Sequence, residues 1–84
     1  MQSTELAYRN LADAIILQAV TDYRNALNGQ SYNYKSPETI IKEIERFFLS
    51  DYFDTLTKVK GEHLIYKLRQ EHIENKRNMN SSEV

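Results

Sequence analysis

The stretch "EIERFFLSDYFDTL", residues 43–56, constrains the chain more than any other. It holds four of the nine aromatic residues, Phe47, Phe48, Tyr52 and Phe53, within seven positions. At 3.6 residues per turn, one helix running through to residue 56 keeps Tyr52 on the core face but sends Leu49, Phe53 and Leu56 into water as a second stripe. Ser50-Asp51 offers a better solution: serine is a preferred N-cap, and an acid in the first turn meets the positive end of the dipole. A break at Ser50 lets a short helix at about 51–56 turn Phe53 and Leu56 inward. Most of the aromatic cluster then becomes core at a corner between helices.

Helical spacing governs the rest. Tyr8, Ala12, Ile15, Ile16, Ala19, Val20, Tyr23, Ala26 and Leu27 share an arc of roughly 140°, the width of a core-facing stripe. Ser3 or Thr4 is the candidate N-cap, and Gly29 suits the left-handed position after the last turn. These signals predict a helix over about 4–27. Within it Ala12, Ala19 and Ala26 recur every seven residues, a row of small side chains that lets another helix approach closely. Leu17 falls outside the arc among polar neighbours. "SPE" at 36–38 starts a second helix at about 37–49, with Ser36 as cap, Pro37 in the first position and Glu38 at the dipole. There Ile40, Ile41, Ile44, Phe47 and Phe48 form one face, while Lys42, Glu43, Glu45 and Arg46 form the other. Glu38 and Lys42 are spaced for an i,i+4 pair.

After the joint "TKVKGE", where Val59 is expected to tuck in, a last helix is predicted over about 61–77. Its stripe of Leu64, Ile65 and Leu68 is extended by His72. Tyr66 and Ile73 form a separate pair one heptad apart. "NMNSSEV" at 78–84 is predicted to be a disordered polar tail. The expected fold is therefore all-α: three main helices, a short fourth at the corner, and a single domain over residues 1–77.

Composition closes off several classes of function. The chain has 84 residues, enough for one small core. With no cysteine it has neither disulfides nor thiolate chemistry. Its longest apolar run, "AIIL" at 14–17, is far too short to cross a bilayer. "MQSTELAYRN" lacks the basic-then-apolar order of a secretion signal, so a cytoplasmic location is expected. Residues 1–57 carry a formal −3 and residues 58–84 a formal +2, too little polarisation for a concentrated basic stripe.

Catalysis finds no foothold. The serines fall at caps, linker and tail. His63 and His72 lie nine apart on one helix, on opposite sides of it, and so do not share a metal; the zinc-protease pattern needs two histidines four apart. The only glycines, Gly29 and Gly61, form no phosphate loop. No enzyme, cofactor or metal site is expected. A nucleic-acid reading would use residues 61–77 as a recognition helix, with Arg69, Lys76, Lys67 and Arg77 supplying charge. Glu62, Glu71 and Glu74 on the same helix oppose it, and the first turn offers Gly61, Glu62, His63 and Leu64 rather than base-reading side chains. Protein binding fits better. The Tyr66/Ile73 stripe is spare, edged by Arg69 and Lys76, and the first helix contributes Tyr23 and Arg24. Such material is enriched at interfaces. A homodimer through the first helix is the simplest specific version.

Three segments, "AIILQAVTDYRNAL" (14–27), "EIERFFLSDYFDTLT" (43–57) and "GEHLIYKLRQE" (61–71), together resemble small helical proteins encoded by prophages and integrative elements of low-GC Gram-positive bacteria. Gln18, Asp22, Tyr23 and Arg24 match a recurring "QAVxDYRxAL" motif, Glu43–Phe53 match "EIERFFxSDxF", and Gly61–Arg69 match "GExLIxKLR". The resemblance spans about residues 8–71. It implies no catalytic activity, only a setting in mobile DNA, where small folded proteins act on host or phage proteins, defence nucleases included.

Overall fold

The structure, a computed structural model, describes residues 2–31 and 34–82, with side chains placed for residues 9–31 and 34–77. It is all-α. Helix α1 spans Gln2–Leu27, α2 Pro37–Phe48, α3 Asp51–Leu56 and α4 Gly61–Ser82. No helix among the described residues is long and apolar enough to cross a membrane.

The corner forms as its residues require. Ser50 caps α3 with extended backbone, and its Oγ accepts the Phe53 N–H at 3.2 Å. The same hydroxyl donates to the Phe47 carbonyl at 2.6 Å, so one side chain satisfies the end of α2 and the start of α3. Phe53 turns inward and is fully buried, as are Phe48 and Tyr23. The rings meet edge to face: Phe48–Phe53 at 5.4 Å, Phe47–Phe53 at 5.5 Å and Tyr23–Phe48 at 5.8 Å between centroids. Such pairs add about 0.5–1.5 kcal/mol each beyond the area they bury. Leu68 from α4 completes the buried cluster, with Ile16, Val20, Leu27, Ile44 and Leu64 around it. Leu49, at the turn itself, stays outside.

The first arc packs as expected where its side chains are described. Ala12, Tyr23 and Ala26 are buried, and Ile15, Ile16, Ala19, Val20 and Leu27 half-buried. Leu17 is exposed. Gly29 takes φ 87°, its N–H bonds the Ala26 carbonyl and Gln30 N–H bonds that of Asn25. This paired pattern is a Schellman stop, and it favours glycine because a residue without a Cβ pays no steric penalty in the left-handed conformation. At α2, Ser36 Oγ accepts the Thr39 N–H at 3.2 Å, and Pro37 follows in the first turn.

Several expectations need correction. Helix α1 begins at Gln2, so Ser3 and Thr4 lie within it; their side chains fall outside the described set. Tyr8 falls there too. Helix α4 runs to Ser82, five residues beyond the expected end, because "NMNSS" contains no glycine or proline to stop propagation. The tail predicted at 78–84 is thus helical through Ser82; residues 83 and 84 lie outside the described residues. Val59 is exposed, held in the loop by its N–H bond to Thr57 Oγ1. Glu38 and Lys42 do not pair; Lys35 Nζ reaches across to Glu43 instead, at 2.9 Å. That pair is solvent-exposed and adds little stability.

Gly61 has a role that helical spacing does not reveal. It is buried at the start of α4, where an added Cβ would stand 1.9 Å from the Phe48 carbonyl oxygen. Helix α4 therefore begins in contact with the end of α2. In an ordinary helical position Gly→Ala stabilises, by about 1 kcal/mol. Here Gly61→Ala is expected to destabilise by about 3 kcal/mol, since crowding a packed site costs that much. Ser50→Ala is expected to cost about 1 kcal/mol through the lost cap. Urea unfolding measures both, and an unchanged or raised midpoint for Gly61→Ala contradicts the close approach.

Candidate functional site

Helix α4 divides its apolar residues between two surfaces. Leu68 is buried and Leu64 and Ile65 half-buried against the core. Tyr66 and Ile73 remain on the outer side, 61% and 48% exposed. Their seven-residue separation puts them about 10.5 Å apart along one line of the helix. Lys76 and Arg77 follow within one turn of Ile73, both exposed. Beyond His72, every described side chain of α4 is exposed. The helix leaves the bundle there, consistent with overall dimensions of 56 × 29 × 20 Å.

The other expected contact residues are occupied within the fold. Tyr23 is completely buried and belongs to the core, so it offers no contact surface. It sits in the centre of the α1 arc, and its hydroxyl donates to Glu45 Oε2 at 2.6 Å. Arg69 is held by the same oxygen, with its Nη2 2.5 Å away. One carboxylate of α2 therefore joins α1 to α4. Arg24 lies beside this network in an ion pair with Glu71 across α1 and α4, with Nε–Oε1 at 2.7 Å and a second bond at 3.1 Å. Of the six residues expected at a contact surface, Tyr66, Ile73 and Lys76 stand together on the outside of α4. Arg69 borders that line from within its ion pair with Glu45, whereas Arg24 pairs with Glu71 on the opposite, α1-facing side of α4 and does not belong to this surface.

Glu45 was expected on the polar face of α2, and its structural part was missed. A signal did exist: a tyrosine at the centre of a buried stripe needs an acceptor for its hydroxyl. Which acceptor it finds depends on how α1 and α2 are docked.

The three groups shift one another. Burial pushes the Tyr23 phenol well above its ordinary range, and the hydrogen bond to Glu45 and that group's charge add to the rise. For Glu45, partial burial raises the carboxyl. The hydrogen bonds from Tyr23 and Arg69, with the guanidinium charge, outweigh it and hold the group below its ordinary value. A paired tyrosine, carboxylate and guanidinium form a tie between helices, with no nucleophile or unpaired base among them.

A second feature lies between α1 and α2. An open groove of about 490 Å³ is lined by Ala14, Ile15, Gln18, Ala19 and Asp22 of α1 and by Glu43, Ile44 and Phe47 of α2. Its floor is apolar, and both charged residues on its rim are acids. Gln18 Nε2 donates to Asp22 Oδ1 at 3.0 Å, and Glu43 carries the Lys35 bridge. No α4 residue lines it. Among the described residues, no group of three His, Cys, Asp or Glu is placed to hold a metal.

No protein-family model, curated protein or solved structure matches this chain.

The Glu45 shift fixes a pH dependence. A carboxyl held low in the folded state contributes stability that is present above its unfolded value and lost as pH falls through the folded one. Stability is therefore expected to fall on acidification below about pH 4.5, the ordinary carboxylate region. Glu45→Gln is expected to flatten that acid limb and to lower stability at neutral pH. Urea midpoints from pH 7 to 3 measure it, and parallel curves for the two proteins contradict the assignment.

Proposed function

We propose that this chain is a non-enzymatic protein-binding module whose contact surface is the outer face of α4. Tyr66 and Ile73 form its centre, and Lys76, Arg77 and the edge of Arg69 form its rim. One observation carries the reading: after Leu64, Ile65 and Leu68 have filled the core, α4 still presents a tyrosine and an isoleucine to water on a second line. A compact domain gains nothing in its own stability from apolar side chains left there, whereas a partner that buries them does. Tyrosine with arginine at the rim is the composition that dominates binding energy at interfaces.

The setting we propose is the cytoplasm of a cell carrying a phage or integrative element. The resemblance of residues 8–71 to small helical proteins of such elements favours it. The partner in that setting is a host or phage protein, a defence nuclease among them. Nucleic acid is the less favoured ligand: Arg69 is committed to Glu45, and Glu62 and Glu74 are exposed on the same helix.

Tyr66→Ala with Ile73→Ala is expected to leave helicity and the urea midpoint unchanged while weakening capture of the partner from host lysate at least tenfold, the loss of about 1.4 kcal/mol that two interface anchors readily exceed. Loss of helicity in the double variant means that the stripe is core. Retention that depends instead on duplex DNA and falls steeply with salt contradicts a protein partner.

A further inference from the structure

The outer face of α4 is complementary to itself when a second copy runs in the opposite direction. Its apolar line is Tyr66 and Ile73, with Gln70 and Arg77 on the same line. Glu62, Arg69 and Lys76 flank it on one side, and His63, Lys67 and Glu74 on the other, all exposed. Two copies running in the same direction would set each charge level with its own duplicate, Glu62 beside Glu62 and Lys76 beside Lys76, which is unfavourable. In opposite directions, laying Tyr66 over the second copy's Ile73 puts a two-fold axis between Arg69 and Gln70. The apolar pair alone sets that register, and the register then decides where the charges fall. Glu62 comes level with Arg77 of the second copy, and about 1.5 Å along the axis from its Lys76 on the same flank. Glu74 comes about 3 Å along the axis from the second copy's Lys67, on the other flank. Both acids of the face thus meet cations. Gln70 meets its own duplicate, and an amide both donates and accepts. Arg69 also approaches its duplicate, but each is already held by its own Glu45. Glu71 takes no part, because it pairs with Arg24 towards α1.

We propose that α4 pairs antiparallel with α4 of a second copy of this chain, as a closed two-fold dimer. The proposal rests on the reading of the α4 face as a contact surface, and names a partner for it. Both copies offer the same patch, so the contact is isologous and stops at two chains. Leu64 and Leu68 lie across the helix from Tyr66, so each bundle stands on the far side of the pair. The extent of α4 also favours a partner. Every side chain from Ile73 to Arg77 is exposed, and the helix continues to Ser82. About ten residues of helix without packing are marginal in water. Antiparallel pairing lays that stretch beside the start of the second copy's α4. With two apolar residues on each side the contact is small, so the dimer is weak and forms with rising concentration. Its charge pairs sit at an exposed rim, where salt screens them.

Sedimentation equilibrium should show the wild-type mass rising from 9.9 kDa towards two chains and no further, and rising less at high salt. Tyr66→Ala with Ile73→Ala should stay at one chain. Lys67→Glu sets acid beside Glu74 twice in each dimer and should weaken pairing at least tenfold with helicity retained. Adding Glu74→Lys to it exchanges the two charges and should restore most of the loss. The chain has no cysteine, so an introduced thiol reports the register. Gln70→Cys should give a disulfide-linked dimer at least tenfold faster than His63→Cys, because the axis brings position 70 to its duplicate and leaves position 63 about 20 Å from its own. A wild-type mass that stays at one chain up to millimolar concentration overturns the pairing, as does growth beyond two chains. Equal crosslinking at positions 63 and 70, or a charge exchange that restores nothing, overturns the antiparallel register. Each of these results leaves capture of a different protein through Tyr66 and Ile73 standing, since a single chain still presents that face. Absence of any captured protein leaves the pairing standing, so the two readings fail separately.

Discussion

The Ser50 hydroxyl sits where two helices must end and begin within three residues. It donates to the Phe47 carbonyl, which the Ser50 backbone N–H also reaches, and it accepts the Phe53 N–H, a first-turn donor with no partner inside its own helix. Without it the chain would have to give up hydrogen bonds to turn, or continue straight and expose Phe53. Because the turn is made there, Phe47, Phe48 and Phe53 come from two separate helices into one cluster and pack edge to face. A core of this size depends on a few large rings, so the corner decides what is inside and, by subtraction, what is left outside.

Two further constraints dock the remaining helices onto that cluster. Gly61 lets α4 start against the Phe48 carbonyl, with no room for a side chain between them. Glu45 then holds Tyr23 of α1 and Arg69 of α4 through one oxygen. The first constraint is steric and fixes where α4 begins. The second is polar and biases how α4 lies across α1. With α4 fixed at both points, Leu64, Ile65 and Leu68 must face the core, and Tyr66 and Ile73 must face away. The contact surface proposed for this chain follows from how the interior is closed.

Much of this was legible in the residues because its causes are local. Capping serines, a proline in the first turn, a glycine after the last turn and helical spacing act within a few positions, and α2, α3 and the stop of α1 follow from them. The same spacing separated Tyr66 and Ile73 from the core stripe of α4. What escaped was set by contacts between distant segments. Glu45 has the surroundings of a surface acid on its own helix, and only the docking of α1 and α4 brings a phenol and a guanidinium to it. Tyr23, expected at a contact surface, is instead the buried member of that network. Gly61 is ambiguous in sequence, since a glycine near a helix start serves a loop as well as a close approach. Val59 is apolar, and nothing local told that its loop passes outside. The groove between α1 and α2 was not legible in the residues, because its depth depends on the distance between two helices.

The most direct measurement is the nuclear magnetic resonance assignment of residues 43–61. A corner at Ser50 predicts Cα shifts that leave the helical range at Leu49 and Ser50 and return at Asp51, with Overhauser contacts from the Phe53 ring to the Phe48 ring. Unbroken helical shifts from Glu43 to Leu56, with no contact from the Phe53 ring to any ring outside its own turn, would contradict the account from the core outward.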